Sequence, residues 1–403
     1  MSHIILNEGQ EQAVSKFAYW YRHPESRTRP WFELSGAAGT GKTTVVLSAI
    51  EELGLSMDDV LFVAFVGKAA LQLRLSGVPG RTFHSVMYVL RKHLKREDGK
   101  IVYKDGIPEY VEVFEKVDSL PSNIKLIVLD EGGMVSEEHG RDILSFQIPL
   151  FVLGDTHQLP PVFGKGMFLL KPDAILTEIM RQNKDSAIIY LSQLAMHGFQ
   201  IPYGIYGNQK ECRVIRRQEM TDDHLRKADL IICATNYTRD VINWYVRKHI
   251  FNIDSANIEI GDKLICRKNY WDIILGGQYS DIALVNGMIG YVTGVSMDNP
   301  TNPKSNLSID FRPEFSNFER FENLPIDRRY ILTGYETRQA MFSKYDTNIK
   351  FELGYCSTCH LAQGSQYDCV LVYNEVFNSM SDYQKKWMYT AITRAKKELI
   401  IVN

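Results

Sequence analysis

The sequence predicts an α/β protein with two domains in tandem, each built on a parallel β-sheet. Short apolar runs of strand length alternate with helical stretches. Such runs, when Gly, Asp or Pro bound them, are typical of buried parallel strands followed by crossover helices. At 403 residues, the chain has the length of two or three domains. The predicted strands are residues 31–34, 61–65, 124–129 and 150–153 in the first domain, and 230–234, 369–373 and 399–402 in the second.

Two stretches interrupt this alternation. Residues 86–117 contain a basic segment followed by Asp98-Gly99 between strand-like flanks, which is a strong signal for a β-hairpin. Residues 286–348 have no long helical period, and they contain a loop with two prolines and short strands such as residues 307–311. The sequence therefore predicts a hairpin insertion in the first domain and a small β-sheet or barrel insertion in the second.

The composition excludes several classes of protein. Hydrophobic residues make up 45% and charged residues 23%, which is ordinary for a globular protein and excludes disordered, collagen-like and coiled-coil chains. No apolar run reaches the roughly 18 residues of a membrane span, and the N-terminus lacks a signal segment, so a cytoplasmic protein without a membrane partner is expected. A net charge of -2 argues against a globally basic protein that coats nucleic acid, but it leaves room for a local basic channel.

Cysteine usage raises one alternative chemistry. Six cysteines in a chain of this length do not form a disulfide scaffold. Cys356, Cys359 and His360 match the C-x-x-C-H pattern of covalent haem attachment. That attachment goes with export, for which there is no signal, and a second C-x-x-C that could complete a zinc site is absent from the sequence. Neither haem nor zinc is therefore predicted.

A phosphate-binding loop follows the first predicted strand. The motif G-x-x-x-x-G-K-[ST] lies directly after a strand and before a helix, which is the context that it requires. Glycines let backbone N–H groups surround a phosphate, and the helix N-terminus adds partial positive charge. Lys42 can bridge the β- and γ-phosphates of ATP, and the Thr43 hydroxyl can ligate Mg²⁺. The predicted nucleotide contacts here are Gly36, Ala37, Ala38, Gly39, Thr40, Gly41, Lys42, Thr43 and Thr44.

Two later strand ends complete the predicted chemistry. The apolar run at 124–129 leads into Asp130 and Glu131. Asp130 is predicted to hold Mg²⁺ together with Thr43, and Glu131 to orient and deprotonate the attacking water. The next strand leads to Gln158, which is predicted to hydrogen-bond the γ-phosphate. Alone, an acidic pair or a glutamine in a loop is weak support, but both follow the phosphate loop in order.

These motifs resemble superfamily 1 helicases of the RecD-like and phage Dda-like branch, nearly throughout the chain. Leu6 to Gln10 is similar to the Q motif, Phe65 to Ala70 to motif Ia, and Arg81 to His84 to the T-I-H element. Asp130-Glu131 and Gly154 to Gln158 resemble motifs II and III, and Ala234 to Asn236 resembles a T-x-N strand end. Thr358 to Ser365 resembles motif V, which accounts for His360 without haem, and Tyr389 to Ala395 resembles motif VI.

The resemblance implies an architecture and roles for further residues. It implies a first RecA-like domain (1–85 and 118–172) with a pin-type hairpin (86–117), and a second RecA-like domain (173–285 and 349–403) with an SH3-like β insertion (286–348). Gln10 would read the adenine, Gly364 would contact the nucleotide, and Arg181 and Arg394 would be catalytic arginines, with Arg394 as the arginine finger. The implied DNA contacts are Lys68, Thr82, His84, Asn236 and His360.

The chain departs from the family pattern at three places. Leu361 stands where motif V often has lysine, and Gly132-Gly133 stands where motif II more usually has Ala or Val followed by Ser. The missing serine can link motifs II and III, so coupling between them is expected to differ. The predicted pin tip is Asp98-Gly99 and carries no aromatic wedge.

The predicted function is that of an ATP- and Mg²⁺-dependent DNA helicase, a hydrolase that moves 5′→3′ on single-stranded DNA and unwinds duplex junctions. The polarity comes from the resemblance alone, as do a monomeric state, roles in phage replication or recombination, single-strand-binding or replication proteins as partners, and the host cytoplasm as location. Three alternatives stay open. They are an ATPase that remodels DNA- or RNA-protein complexes without unwinding, a P-loop small-molecule kinase, and an RNA substrate, since the motifs do not read the 2′-hydroxyl.

Overall fold

The computed structural model describes residues 5–104, 107–161, 164–178, 186–255, 257–279, 282–297, 307–326, 331, 348–375 and 381–403. The chain divides into two compact units. The first unit consists of the described parts of Met1–Val66, Leu73–Thr156 and Pro160–Met180, and the second of those of Gly67–Gln72, His157–Leu159 and Arg181–Asn403. None of the helices in these described ranges is long and apolar enough to cross a membrane.

The first unit is built on a six-stranded parallel sheet with the order β12-β1-β11-β10-β2-β3. Its strands are β1 (Trp31–Gly36), β2 (Val60–Ala64), β3 (Arg81–Thr82), β4 (Tyr88–Leu94), β5 (Arg96–Glu97), β6 (Lys100–Ile101), β7 (Tyr103–Lys104), β8 (Ile107–Pro108), β9 (Tyr110–Lys116), β10 (Leu126–Asp130), β11 (Leu150–Gly154) and β12 (Ala174–Leu176). The helices that begin before residue 140 are α1 (Glu8–Arg22), α2 (Lys42–Glu52), α3 (Gly67–Leu75), α4 (Phe83–Met87) and α5 (Glu137–Leu144).

Apolar side chains cover both faces of this sheet, as expected for buried parallel strands. On one face, the ring of Phe17 from α1 stacks on Phe151 with a centroid distance of 3.9 Å. On the other, Val63, Leu129 and Val152 belong to a buried cluster with Phe83. Phe83 is therefore a core residue of the first unit. Strand β12 pairs with β1, so the sheet continues beyond residue 172, the predicted end of the first domain. The sequence did not predict β12, because a strand of three residues is too short to show a hydrophobic pattern.

The predicted hairpin region forms a branched ribbon. Strands β4 and β9 pair antiparallel from Tyr88 opposite Lys116 to Leu94 opposite Tyr110. Beyond them, β5 pairs with β6 and β7 with β8, so the chain makes two small side ribbons. Asp98 and Gly99 both have positive φ (48° and 77°), as a two-residue hairpin turn requires. The turn therefore lies where the sequence placed it, but it closes a side ribbon and not the main ladder.

The second unit is built on a six-stranded sheet with the order β13-β14-β25-β24-β15-β23, parallel except for β13. Its strands, numbered on from the first unit, are β13 (Gly204–Tyr206), β14 (Cys212–Ile215), β15 (Leu230–Cys233), β16 (Lys263–Cys266), β17 (Tyr270–Ile274), β18 (Ala283–Leu284), β19 (Ile289–Met297), β20 (Leu307–Pro313), β21 (Phe321–Ile326), β22 (Phe351–Leu353), β23 (Cys356–Thr358), β24 (Tyr367–Tyr373) and β25 (Ala395–Val402). Its helices are α6 (Ala187–His197), α7 (Asp222–Lys227), α8 (Asn236–Tyr245), α9 (Cys359–Ala362) and α10 (Asp382–Ile392).

A second, antiparallel sheet of five strands has the order β21-β20-β19-β16-β22. It extends beyond residues 286–348, the predicted insertion, because β16 and β22 pair with each other and belong to it. The pairing of Leu264 with Leu353 joins segments that are far apart in the chain, which an apolar run of four residues does not reveal. Trp271 lies on β17 and is 40% exposed, so it is not a core residue.

Short helices complete the described part of the chain. The 3₁₀ turns are Pro24–Ser26, Met57–Asp59, Gly132–Met134, Arg217–Glu219 and Gly277–Tyr279, and Val246–Ile250 forms a π-helical continuation of α8. Within the second unit, Arg247 of this π-helical turn is fully buried and donates from Nε to Asp262 Oδ1 at 2.7 Å. This buried ion pair ties the end of α8 to the start of β16.

Candidate nucleotide and nucleic-acid sites

The phosphate-binding loop lies between β1 and α2 in the first unit. Gly39 and Gly41 have φ of 86° and 83°, a region in which glycine costs little. A Cβ at Gly41 would lie 2.4 Å from Nε2 of Gln10, so the position also excludes a side chain for lack of space. Gly41 precedes α2 without a side-chain cap, and the helix begins at Lys42. The N–H groups in the first turn of α2 therefore receive no side-chain cap from Gly41, and this favours binding of an anion at the N-terminus of the helix.

Lys42 and Asp130 provide opposite charges near this loop. The Lys42 ammonium donates to the carbonyls of Gly36 at 2.6 Å and Ala37 at 3.1 Å. Asp130 ends β10, and its Oδ1 accepts the N–H of Glu131 at 2.9 Å. Burial raises the pKa of Asp130, while the charge of Lys42 and the N–H of Glu131 act in the opposite direction. A cation beside this carboxylate would favour its ionised form.

Gln10 connects α1 to the loop. Its Nε2 donates to the carbonyl of Thr40 at 3.0 Å, and its Oε1 accepts the N–H of Asn7 at 3.0 Å. The Asn7 side chain in turn accepts the N–H of Gln10 at 2.8 Å, which completes a capping box. The predicted adenine reader is therefore buried and placed beside the loop by the cap of its own helix. Thr43 and Thr44 lie in the first turn of α2.

The predicted arginine finger lies in the second unit, after α10. Arg394 is buried, and its Nε and Nη1 donate to the carbonyls of Thr390 at 3.0 Å and Ser365 at 3.1 Å. Gly364, next to Ser365, has φ of 72°. These contacts hold the guanidinium against the segment that resembles motif V. Arg181, the other predicted arginine, lies outside the described residues.

Gln158 belongs to the segment His157–Leu159, which clusters with the second unit. Its side chain is buried, and its Oε1 has no hydrogen-bond partner among the residues that the structure describes. The neighbouring Leu159 is held through its backbone, because its N–H donates to Oγ1 of Thr390 at 3.1 Å and its carbonyl accepts Nε2 of Gln363 at 3.2 Å. A buried acceptor without a donor is costly, so Gln158 fits a role with a ligand better than a purely structural one.

The predicted DNA contacts are in different surroundings. Thr82 is buried, and its hydroxyl caps α4 by accepting the N–H of Ser85 at 3.3 Å. His84 is half-buried against the rings of Phe65 and His139, and burial, with a smaller effect of His139, lowers its pKa.

Asn236 begins α8 and is half-buried. His360 is half-buried, and burial lowers its pKa, so neither of the two histidines gains charge at neutral pH.

Lys68 does not fit the expected DNA contact. Its ammonium is buried and donates to the hydroxyl of Tyr367, and it lies 4.9 Å from the centroid of that ring. Burial lowers the pKa of Lys68 to about 8. A phosphate contact needs an ammonium at the surface, and this one is used inside the second unit. The sequence motif specifies a lysine, but it does not show that the side chain turns inward.

Sequence reasoning missed Glu375, which lies beside Asn236 in the fold. The Glu375 carboxylate accepts the N–H groups of Ala234 at 2.5 Å and Thr235 at 2.8 Å, and it also accepts the hydroxyls of Thr235 and Thr238. It thereby caps α8 from a distant part of the chain. No motif marks Glu375, so no signal in the sequence could have indicated this contact.

Comparison with known proteins identifies the family. The AAA domain family model matches residues 5–210. The chain belongs to this AAA domain family. A UvrD-like helicase C-terminal domain model matches residues 353–402. The ATP-dependent RecD2 DNA helicase of Deinococcus radiodurans is 26% identical to this AAA domain chain over 398 residues, which cover 90% of this chain and 45% of the relative. The chain spans less than half the length of the curated relatives it matches.

Solved structures agree on the fold of this AAA domain chain. The Pif1 helicase of Candida albicans has a TM-score of 0.55 at 18% identity, over 99% of this chain and 94% of that one. The Bacteroides Pif1 helicase in complex with ADP-AlF3 and single-stranded DNA has a TM-score of 0.54 at 16% identity, over 99% and 92%. The two parallel-sheet units are therefore RecA-like. Together with the family models, these relatives confirm the resemblance to superfamily 1 helicases of the RecD- and Pif1-like branch.

One departure from the family pattern has a steric reason. A Cβ at Gly132 would lie 2.3 Å from Cγ1 of Val152 and 3.3 Å from the carbonyl of Leu153. Val152 is fully buried in β11 and cannot move aside. At Gly133 the nearest atom would be 3.6 Å away, an ordinary contact. The turn after Glu131 thus approaches β11 so closely that position 132 accepts only glycine in this AAA domain chain.

The two cysteines of the C-x-x-C-H pattern are structural in this AAA domain chain. Cys356 and Cys359 are both fully buried, but they belong to different apolar clusters of the second unit. Burial raises the pKa of each thiol, which keeps them protonated and disfavours metal binding. Among the residues that the structure describes, no group of three or more metal-ligating side chains is present.

Proposed function

We propose that this chain is an ATP-dependent DNA helicase that moves on single-stranded DNA in the 5′→3′ direction and couples ATP hydrolysis to duplex unwinding. The observation that supports this most strongly is the phosphate-binding loop, in which Lys42 lies near the half-buried carboxylate of Asp130 at the end of β10, two strands away from β1 in the sheet. The matches to an AAA domain and a UvrD-like helicase C-terminal domain support it. Relatives described as an ATP-dependent DNA helicase and as Pif1 bound to single-stranded DNA support the same reaction.

The donor set of the loop fits a nucleoside triphosphate with a magnesium ion. Thr43 and Asp130 would hold Mg²⁺, which supplies positive charge to the phosphate oxygens. The half-buried Asp130 carboxylate, whose pKa is raised by desolvation, is the kind of oxygen ligand that gains from a divalent cation. Lys42, now on the carbonyls of Gly36 and Ala37, would exchange these neutral acceptors for charged phosphate oxygens.

The remaining residues would act on the water and the transferred group. Glu131 would orient the attacking water and accept its proton. Gln158 would hydrogen-bond the γ-phosphate, and its unpartnered Oε1 is compatible with a role that needs a ligand. Arg394 would stabilise charge on the transferring phosphoryl group, and Arg181 is proposed from the family pattern alone. Gln10, through its bond to Thr40, would place the adenine beside the loop.

The nucleic-acid contacts that we propose are Thr82, His84, Asn236 and His360. Polar and mostly uncharged side chains of this kind bind the backbone without reading sequence. The half-buried imidazole of His84 packs against Phe65, which offers a flat surface for a base. Binding by backbone contacts is expected to be independent of sequence and sensitive to salt.

The finer architecture is also a proposal. The branched ribbon of β4 to β9 would be the pin that separates strands, and the antiparallel sheet around β19 and β20 the SH3-like insertion. By the same resemblance we propose a monomer that acts at single-stranded DNA and duplex junctions, with single-strand-binding or replication proteins as partners. Roles in phage replication or recombination, in the host cytoplasm, complete the proposal.

The first test is steady-state ATP hydrolysis with and without single-stranded oligo-dT, and with and without Mg²⁺. Strong stimulation by DNA is expected, and the Lys42→Ala variant should reduce it to background because the loop loses its only long cationic side chain. A second arm replaces oligo-dT with oligo-rU. Hydrolysis that is indifferent to both would overturn the proposal, and stimulation by RNA alone would redirect it to an RNA substrate.

Unwinding is tested separately with a variant of the branched ribbon. Deletion of residues 96–103 removes the Asp98-Gly99 side ribbon and leaves the β4–β9 ladder, which pairs without it. DNA-stimulated hydrolysis is expected to persist, and strand separation of a forked duplex at enzyme excess to be lost. If the variant still unwinds, the Asp98-Gly99 side ribbon is not the part of the pin that separates strands. If the full-length protein hydrolyses ATP on DNA but never separates strands, a remodelling ATPase is the better description.

A further inference from the structure

The side chain of Lys68 points into the second unit. This lysine lies in the first turn of α3, in the segment Gly67–Gln72, which clusters with the second unit. Its ammonium donates to the Tyr367 hydroxyl and lies beyond that oxygen, 4.9 Å from the ring centroid. A hydrogen bond donated by a charged group is stronger in such a desolvated place than it would be in water. Tyr367 is therefore the principal partner that Lys68 has inside the unit.

Tyr367 in turn contacts the predicted arginine finger. Its backbone N–H donates to the carbonyl of Arg394 at 2.8 Å. Two residues earlier, the carbonyl of Ser365 accepts Nη1 of Arg394 at 3.1 Å. The segment from Ser365 to Tyr367 thus holds Arg394 at both its backbone and its guanidinium. A shift of Tyr367 would move both contacts.

Among the buried cations near Tyr367, Lys68 is the one whose charge is lost most easily. Three buried cations, Lys68, Lys263 and Arg394, share the neighbourhood of one carboxylate, Glu314. Glu314 pairs with Lys263, whose ammonium lies 2.6 Å from Oε1. Burial works against the charge of Lys263, but Glu314 and its other partners raise its pKa above the usual value. Within the described residues Lys68 forms no ion pair, and its hydrogen-bond acceptor is the Tyr367 hydroxyl.

We propose that Lys68 is a positioning residue that acts through Tyr367 to hold Arg394, and so links the start of α3 to the arginine finger. The inference rests on the proposed role of Arg394 in ATP hydrolysis. It assigns to the lysine of the motif Ia segment an internal mechanical role instead of a phosphate contact. A change in the position of α3 would reach Arg394 through one hydrogen-bonded side chain.

The link has a predictable dependence on pH. Burial lowers the pKa of Lys68 to about 8, and the charges of Lys263 and Arg394 add to this effect, while Glu314 opposes it. Burial raises the pKa of Tyr367 well above its usual value, so the phenol stays neutral over the same range. As pH rises through about 8, the ammonium loses its proton, and its charge-assisted hydrogen bond to Tyr367 becomes a weaker neutral one. The step that needs Arg394 should therefore slow on the alkaline side.

The experiment measures kcat and KM of DNA-stimulated ATP hydrolysis across a pH range that brackets the pKa of Lys68. The wild-type kcat is expected to fall as pH rises through about 8. Lys68→Met should lower kcat about tenfold, the effect of losing one hydrogen bond to a charged group, with KM for ATP little changed and the alkaline fall abolished. Tyr367→Phe should move the fall to lower pH, because an ammonium without its acceptor loses its proton more easily.

Tyr355→Phe is the matched control. Tyr355 is another buried tyrosine of the same unit, and its hydroxyl donates to Asp262 at 3.3 Å and accepts the N–H of Lys263 at 3.2 Å, without a contact to Arg394. This variant should keep the wild-type pH profile. If Lys68→Met and Tyr367→Phe both keep the wild-type kcat and alkaline fall, the inference is wrong.

A further readout separates this inference from the proposed function. Thermal unfolding of wild type, Lys68→Met, Tyr367→Phe and the double variant gives the coupling energy of the pair without any ATP hydrolysis. If the Lys68–Tyr367 pair shows a coupling energy but the protein does not hydrolyse ATP, the proposed function is wrong although the contact between the two residues is real. If hydrolysis depends on Arg394 but not on Lys68, and the four proteins show no coupling energy between Lys68 and Tyr367, the proposed function stands and the inference about Lys68 is wrong.

Discussion

Replacing Arg394 with alanine is expected to lower the kcat of DNA-stimulated ATP hydrolysis by about 10³-fold or more. The guanidinium offers several N–H donors in a fixed plane, and loss of this charge removes stabilisation only from the transition state. KM for ATP should change little, because Lys42 and the loop bind the ground state. Steady-state kinetics, together with equilibrium binding of a fluorescent ADP, separates the two effects.

The control for this variant must allow for a structural effect. Alanine at position 394 removes the donor to the Ser365 carbonyl, which costs about 1–3 kcal/mol of the free energy of unfolding, whereas the Thr390 carbonyl still accepts the Thr393 hydroxyl at 3.0 Å. Thermal unfolding therefore accompanies the kinetics, and Arg394→Lys keeps the charge while losing the planar fork. Arg217→Ala removes an exposed arginine of the same unit, which contacts Tyr373 and the Asn374 carbonyl, and should keep wild-type kcat. A folded Arg394→Ala protein with wild-type kcat would contradict the assignment.

Replacing Glu131 with glutamine is expected to lower kcat by about 10²- to 10⁴-fold, the range for a general base. Glutamine keeps the size and the backbone N–H that Asp130 accepts at 2.9 Å, so the carboxylate of Asp130 should keep its place. Only the ability to accept a proton from water is lost. Binding of ATP and of single-stranded DNA should remain, and a single-turnover experiment should show bound, uncleaved ATP.

The matched change is Glu138→Gln, an exposed glutamate in the first turn of α5. It removes the same charge seven positions away and should leave kcat at the wild-type value. Glu131→Gln activity equal to that of this control would mean that another residue activates the water. Loss of nucleotide binding in Glu131→Gln would instead indicate that the residue supports the loop and not the chemical step.

The sequence by itself determined the parts of this protein whose chemistry is local. The loop from Gly36 to Thr43 is one contiguous strand–loop–helix segment, and its glycines, lysine and threonine are needed at those positions wherever the segment packs. The Asp98-Gly99 turn is equally local, since two adjacent residues with positive φ are enough to reverse the chain. Short apolar runs that alternate with helical stretches predicted both parallel sheets. A strand that is buried on both faces is apolar at successive positions, and such a run can be recognised from a few residues.

Tertiary structure alone decided the features that join distant segments. The partner of Lys68 is Tyr367, 299 positions away, and the donors that Glu375 caps are more than a hundred positions before it. The pairing of β16 with β22 likewise moved the limits of the antiparallel sheet beyond the predicted insertion. A motif specifies which side chain is present, but burial and pairing depend on what the rest of the chain brings next to it. The same lysine can reach a phosphate at the surface or a tyrosine inside, and only packing distinguishes the two.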